Sequence, residues 1–256
     1  MHPRPVRRHL PGPDHFEAVL VGRRFGEPRR RGKFLWLPLD DGDAVVAHLG
    51  MSGQFRSDLP GTPLQPNTRV VWHLDDGREL RFVDQRMFGG VWLSPGGAVL
   101  PAEVAHIALD PFDASFDAVG VARTIVRRHA GIKRLILDQT IVSGIGNIYA
   151  DESLWRARLH YDTPGSELTV RKVAALLRAA HDVMADSLVA GGTSFDRLYV
   201  DVNGESGYHE RSLDVYGRAG QPCHRCGRAI VREAFANRSS YRCPSCQRLP
   251  GRLAGP

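Results

Sequence analysis

The clearest chemistry in this 256-residue chain lies in four cysteines: Cys223, Cys226, Cys243 and Cys246. Two residues lie inside each pair, and sixteen residues, Gly227 to Arg242, separate the pairs. A C-x-x-C turn aims both thiolates at one ion, and two such turns close a tetrahedral S₄ shell suited to structural zinc. The spacing is that of a zinc ribbon, so one structural Zn²⁺ is expected. Free or disulfide-bonded thiols are the alternative, but free cysteines scatter and nothing marks the chain as secreted. His224 lies inside the first knuckle and is not expected to be a ligand, because four thiolates already fill the shell.

Other residues admit two readings each. Between the knuckles run Arg228, Arg232, Phe235, Arg238, Tyr241 and Arg242, which form either a polyanion-binding hairpin or an ordinary solvated basic one. Ser143-Gly-Ile-Gly-Asn147 is a glycine turn opening a helix, with Asn147 at the expected N-cap. Such a turn is either a plain connection or a phosphate site built from N–H groups and the helix dipole. Arg128 and Lys133 just before it favour phosphate. Met51 lies in His48-Leu-Gly-Met-Ser-Gly53; Arg86 and Phe88 lie in Asp84-Gln-Arg-Met-Phe-Gly89. These large side chains on glycine-flanked turns are either core packing or wedges that fill the hole left by an unstacked base. Lys33 is either a surface charge or a proton-transfer group or amine nucleophile.

Positioning these groups needs two kinds of scaffold. In the first hundred residues, Lys33–Leu39, Ala44–Leu49, Arg69–Leu74, Glu79–Val83 and Gly89–Leu93 read as strands, with Asp41-Gly42 and Asp76-Gly77 as hairpin turns. Pro95 to Pro111 reads as a linker, after which the period turns helical. Helices are expected from a Ser115 cap to about Arg128, over Ile132–Asp138, from Asn147 to about Arg158, and over Leu168–Leu188 with a Thr169 cap. In the last, Val173, Leu176, Leu177, Ala180, Val183, Met184 and Leu188 share one face, read as core. Gly192–Gly217 is long and polar for a connection, which suggests a functional loop. The formal net charge is +6 with only three lysines, which modestly favours nucleic acid. No apolar run is long enough to span a bilayer.

Taken in order, the segments resemble bacterial formamidopyrimidine-DNA glycosylases, the family that includes endonuclease VIII. The resemblance rests on Arg31-Gly-Lys-Phe-Leu35, the two wedge segments, Leu137 to Glu152, Gly191-Gly-Thr-Ser194 and the four cysteines. It implies an α+β multidomain fold: an antiparallel β-sandwich at 1–105, a helix-two-turn-helix domain with a lesion loop at 106–217, and a zinc ribbon and tail at 218–256. The implied activity is excision of oxidised purines (8-oxoguanine, formamidopyrimidines) followed by β,δ-elimination at the abasic site. Lys33 matches the proton donor for β-elimination and Arg238 the donor for δ-elimination. Met51, Arg86 and Phe88 match the trio that fills the void of the flipped base. Lys133 and Asn147 match phosphate clamps, Asn67 and Arg128 lie at DNA-contact positions, and Gly204–Tyr208 lies in the loop over the damaged base. The implied partner is damaged double-stranded DNA, bound by a monomer in the bacterial cytoplasm at the nucleoid, with no membrane.

The family's nucleophile is an N-terminal proline followed by Glu, and here the sequence reads Met1-His2-Pro3-Arg4. The sandwich is therefore expected to lack an opening helix and strand. Two expectations follow from it: a longer native chain carrying Pro-Glu, or a damaged-DNA-binding relative with impaired catalysis.

Overall fold

The computed structural model describes residues 4–192 and 213–249. Met1–Pro3, the expected lesion loop at Gly204–Tyr208 and the tail beyond Leu249 lie outside the described residues. Two compact units divide the chain after His106: residues 4–106, and residues 107–190 with 213–249.

The first unit is built from two antiparallel sheets. Strands β1 (Arg29–Arg31), β2 (Phe34–Pro38), β3 (Ala44–His48) and β7 (Gly90–Ser94) form one sheet in the order β1-β2-β3-β7. Strands β4 (Gly53–Asp58), β5 (Thr68–His73) and β6 (Glu79–Asp84) form the other in the order β4-β6-β5. Side chains alternate between strand faces. Leu37, Val45, Ala47 and Val91 from the first sheet therefore join Val70, Trp72 and Phe82 from the second in one buried cluster. A short 3₁₀ turn at Arg4–Val6 and helix α1 (Pro13–Leu20) close this core with Val6 and Phe16. Proline at the start of α1 has no N–H to leave unsatisfied.

Strands β1 and β4 escape the sequence pattern. The first is three arginines, and the second, Gly-Gln-Phe-Arg-Ser-Asp, has too little apolar alternation to read as a strand. Tertiary pairing makes them strands: β4 pairs with β6 along its length, from Gly53↔Asp84 to Asp58↔Glu79. The segment read as a linker also packs, with a 3₁₀ turn at Ala102–Val104 whose Val104 is fully buried.

In the second unit, α2 (Ala118–Ile125), α3 (Ile132–Leu137), α4 (Asn147–Arg156) and α5 (Val170–Val189) surround a core of Ile125, Ile132, Ile136, Ile145, Leu154, Leu176 and Leu177, among others. Thr169 caps α5 as expected, accepting from the Lys172 N–H at 3.2 Å. The cap of α2 is Asp117, whose carboxylate accepts from the Val119 and Gly120 N–H groups, in place of the expected Ser115. The apolar face of α5 ends one residue early, because Leu188 is 68% exposed. Ser187 takes the buried position and bonds the Tyr149 hydroxyl at 2.9 Å. Strands β8 (Val231–Phe235) and β9 (Arg238–Arg242) form the ribbon hairpin. Among the described residues, no helix is long and apolar enough to cross a membrane.

Candidate nucleic-acid interface and metal centre

The β1–β2 turn is Gly32-Lys33, with Gly32 at φ 56°, so the lysine stands exposed at the mouth of the hairpin. Register puts Phe34 opposite His48, whose ring it meets at 4.9 Å. Burial, followed by the charges of Arg8 and Lys33, lowers the His48 pKa. His48 is thus neutral near pH 7 and accepts the Gly50 N–H at 3.1 Å, which shapes the next loop.

That loop carries Met51, and it lies directly on the loop carrying Arg86 and Phe88. Gly50 has φ 66°, and a Cβ there would fall 2.6 Å from the Gly89 nitrogen. Only glycine permits this approach. The core reading of the two apolar residues fails: Met51 is 62% and Phe88 50% exposed. Leaving such side chains in water forgoes about 1.5–3 kcal/mol each relative to burial, so the position suits a partner that covers them. The Arg86 guanidinium lies 5.3 Å from the Phe88 ring centroid.

Beneath both loops is the fully buried carboxylate of Asp84. Its Oδ1 accepts from the Ser52 hydroxyl at 2.6 Å and its Oδ2 from the Gly89 N–H at 2.8 Å. Ser52 Oγ in turn accepts the Arg86 N–H at 2.9 Å. Asn67 adjoins the same strand end. Its carbonyl accepts the Asp84 N–H, and its Oδ1 accepts from Arg69 at 2.9 Å. The loop before Asn67 is pinned by the buried Arg81, which donates to the Thr62 and Pro63 carbonyls. The roles of Asp84 and Ser52 were not read from the sequence, although both residues sit inside the wedge segments.

In the second unit the glycine turn is held by Gln139, which donates to the Ile145 carbonyl and accepts the Gly144 N–H. Gly144, at φ 84°, passes against Met184 and Asp110, where a Cβ would crowd both. Helix α4 begins there, but its N-cap is Gly146 and Asn147 is the first helical residue. Asn147 spends its side chain elsewhere: Nδ2 donates to the Ser239 carbonyl on β9 at 3.0 Å, and Oδ1 is buried without a hydrogen bond. Among the described residues, a single hydrogen bond holds this amide.

One face of α4 continues the contact. Residues at i, i+4, i+5 and i+8 share a helix face, and here these are Asn147, Asp151, Glu152 and Trp155. Asp151 accepts from the Ser240 hydroxyl and the Tyr241 N–H, both on β9. Glu152 accepts three backbone N–H groups, from Asp214, Val215 and Tyr216. The Trp155 indole N–H donates to Cys223 Sγ at 3.4 Å, while the Arg225 guanidinium stacks on its ring at 3.9 Å.

Lys133, expected at a phosphate, is fully buried on α3 with its ammonium 2.6 Å from Asp151 and 4.5 Å from the Phe235 ring centroid. Burial lowers its pKa and raises that of Asp151, and each charge offsets the other's loss of water. A phosphate reaches this ammonium only if the pair opens. The charge of Arg238 also lowers the Lys133 pKa, so the two cations are near each other. Arg238 is exposed at the start of β9, just after a turn in which Ala236 has φ 49°. Arg134, not singled out by the sequence, lies over the same Phe235 ring, 5.4 Å from its centroid. Arg128 is exposed and lines a cleft of about 450 Å³ with Thr124, Asp117 and Thr140. Asn147, Lys133 and Arg238 therefore come together around β9, with Arg128 on a separate cleft.

The four cysteine Sγ atoms lie within 4.8 Å of one another. A zinc ion with Zn–S bonds of about 2.3 Å needs sulfurs about 3.8 Å apart, so the cluster fits the ion. Burial alone would raise the Cys223 thiol; hydrogen bonds from Trp155 and from the Arg225 and Cys226 backbones bring it down to about 6. Backbone hydrogen bonds lower Cys226 as well, whereas burial raises Cys243 and pushes Cys246 up to about 12, so the thiolate bias lies in the first pair. His224 takes no part in the cluster and pairs with Asp214 at 2.8 Å.

A two-sheet sandwich, a helix-two-turn-helix unit and a four-cysteine ribbon docked on the helix after the turn define a zinc-ribbon protein of the helix-two-turn-helix class. Family models agree along the chain. Residues 1–91 match the formamidopyrimidine-DNA glycosylase N-terminal domain, 107–197 the formamidopyrimidine-DNA glycosylase H2TH domain, and 220–249 the zinc finger found in FPG and IleRS. A formamidopyrimidine-DNA glycosylase of Nocardioides sp. is 59% identical over 255 residues, covering 98% of this chain and 86% of the relative. Among solved structures, the MutM (Fpg) protein of Thermus thermophilus superposes with TM-score 0.78 at 36% identity, covering 93% of this chain and 86% of that one. Lactococcus lactis Fpg in complex with abasic-site DNA superposes with TM-score 0.82 at 27% identity, covering 96% and 89%. The chain belongs to the formamidopyrimidine-DNA glycosylase family.

Two outcomes follow from this geometry. Asp151→Ala strands the Lys133 ammonium in the interior and is expected to cost about 3–5 kcal/mol, read as a lowered urea midpoint. Replacing both partners with apolar residues of similar volume should recover most of that loss, and a single variant as stable as the parent would contradict the buried pair. For the metal, elemental analysis should give one zinc per chain. Cys226→Ser should lower zinc content and, with it, duplex affinity in a gel-shift titration; full affinity without zinc would separate the ribbon from binding.

Proposed function

We propose that this protein is a base-excision DNA-repair glycosylase acting on oxidised purines in duplex DNA, with lyase activity at the resulting abasic site. The observation that carries the reading is the pair of exposed wedge loops fixed over one buried carboxylate, in a chain of this family. A base cannot be attacked inside the stack, so the enzyme must extrude the nucleotide and occupy the gap. Met51 and Phe88 supply apolar filling, and Arg86 supplies a cation that can face the orphaned partner base.

Phosphate contacts then hold register without reading sequence. Asn147 exchanges the Ser239 carbonyl for a phosphate oxygen at the positive end of α4, while Arg128 and Asn67 contact the backbone elsewhere. Cys223, Cys226, Cys243 and Cys246 would hold a structural zinc ion, which would brace the β8–β9 hairpin and so the position of Arg238.

Excision requires an amine, by the resemblance an N-terminal proline, that attacks the sugar C1′; the C1′–N bond breaks and the base leaves with a proton, and opening of the C1′–O4′ bond then gives a Schiff base. From that adduct Lys33 handles the proton transfer of β-elimination. Arg238 serves the later δ-elimination, which releases the sugar remnant and leaves a 3′-phosphate. The duplex substrate further supports a place in the bacterial cytoplasm at the nucleoid.

Borohydride trapping on an 8-oxoguanine duplex tests the reading directly, using protein expressed from its native gene. A covalent protein–DNA adduct is expected, and its absence at saturating enzyme would refute the activity. Lys33→Ala should slow strand cleavage at a preformed abasic site by about 10²–10⁴-fold. Arg238→Ala should leave 3′-unsaturated aldehyde ends where the parent leaves 3′-phosphates.

A further inference from the structure

The wedge residues lie on two separate loops, and the bonds within the first, Gly50 N–H to His48 and Gly53 N–H to the Leu49 carbonyl, do not fix it to the second. The β3–β4 loop is short, exposed at Met51 and bent through a left-handed glycine. The β6–β7 loop places Met87 at φ 53°, a conformation a non-glycine side chain adopts only under outside constraint. The constraint is visible. Ser52 donates to Asp84 Oδ1 and accepts the Arg86 N–H, while Asp84 Oδ2 accepts the Gly89 N–H. The residues flanking Met87 and Phe88 are thus tied to the residue following Met51 through one hydroxyl and one carboxylate.

We infer that Ser52 and Asp84 form a clasp that joins the two loops into one rigid wedge and so position Met51, Arg86 and Phe88 for base extrusion. The inference rests on the wedge reading proposed above and extends it to two residues that need not touch DNA. Its physical basis is that both bonds end on a fully buried carboxylate, the Gly89 bond buried and the Ser52 bond part-buried, and both are short and directional. An unclasped pair of loops would have to order on every encounter, and that ordering entropy would be subtracted from extrusion.

The test uses full-length protein and duplexes carrying 2-aminopurine beside an 8-oxoguanine, whose fluorescence rises when the stack opens. Ser52→Ala removes the hydroxyl bridge and should lower the extrusion rate about tenfold more than it lowers affinity for undamaged duplex. Ser52→Thr keeps the hydroxyl and should restore extrusion; Asp84→Asn should behave like Ser52→Ala. Normal extrusion by Ser52→Ala overturns the clasp. So does an equal loss in Ser52→Ala and Ser52→Thr, which would mark a packing role only. Phe88→Ala is the control for the underlying reading: parent-like extrusion by that variant refutes the wedge itself, whereas its loss beside a normal Ser52→Ala refutes only the clasp.

Discussion

The ion pair between Lys133 and Asp151 is the contact on which the second unit depends. Neither charge reaches water, and the interior is a costly place for either alone. Their 2.6 Å approach makes burial tolerable and in doing so ties α3 to α4. Asp151 also accepts from Ser240 and Tyr241, so the same carboxylate fastens β9. The ribbon hairpin is thereby held twice, by its metal turns at one end and by a buried carboxylate near the other. Arg238, which extends from β9, inherits its position from both.

A consistent division of labour appears in both units. Buried carboxylates do the fixing: Asp84 under the wedge loops, Asp151 and Glu152 under the ribbon. Exposed cations and apolar tips are left to the surface: Lys33, Arg86 and Phe88 in one unit, Arg128 and Arg238 in the other. The arrangement follows from the partner. DNA is a polyanion, so an acidic group at the surface would repel it, whereas an acidic group sealed inside can organise backbone N–H donors without weakening the field outside. Glu152 is the plainest instance, since among the described residues it pairs with no cation and instead collects three consecutive N–H groups.

Much of this was legible in the sequence, for reasons that differ by residue. The cysteines were legible because metal geometry dictates spacing, and the α5 stripe because burial dictates period. Segments such as Asp84 to Gly89 were legible as a resemblance, but the part played by Asp84 was not. A carboxylate at a strand end reads as a solvated charge unless the loop that will cover it is known. Strand β4 stayed hidden for a similar reason: Gln54, Arg56 and Ser57 carry no pattern until β6 lies beside them. Asn147 shows the opposite error. Its type and place announced a helix cap, yet the backbone of Gly146 takes that position and the amide is drawn to Ser239, a residue ninety-two positions away.

That displacement of Asn147 has a mechanistic consequence. A capping asparagine would already have used its oxygen on the N–H groups of the first helical turn. Here the cap residue is a glycine and makes no side-chain cap, and the Asn147 amide N–H goes to the Ser239 carbonyl. The helix end therefore carries backbone donors that its cap residue does not claim, beside an amide held by one carbonyl. Gln139 fixes the turn, donating to the Ile145 carbonyl and accepting the Gly144 N–H. The turn is ordered by its own hydrogen bonds, so an anion that met it would find it already shaped.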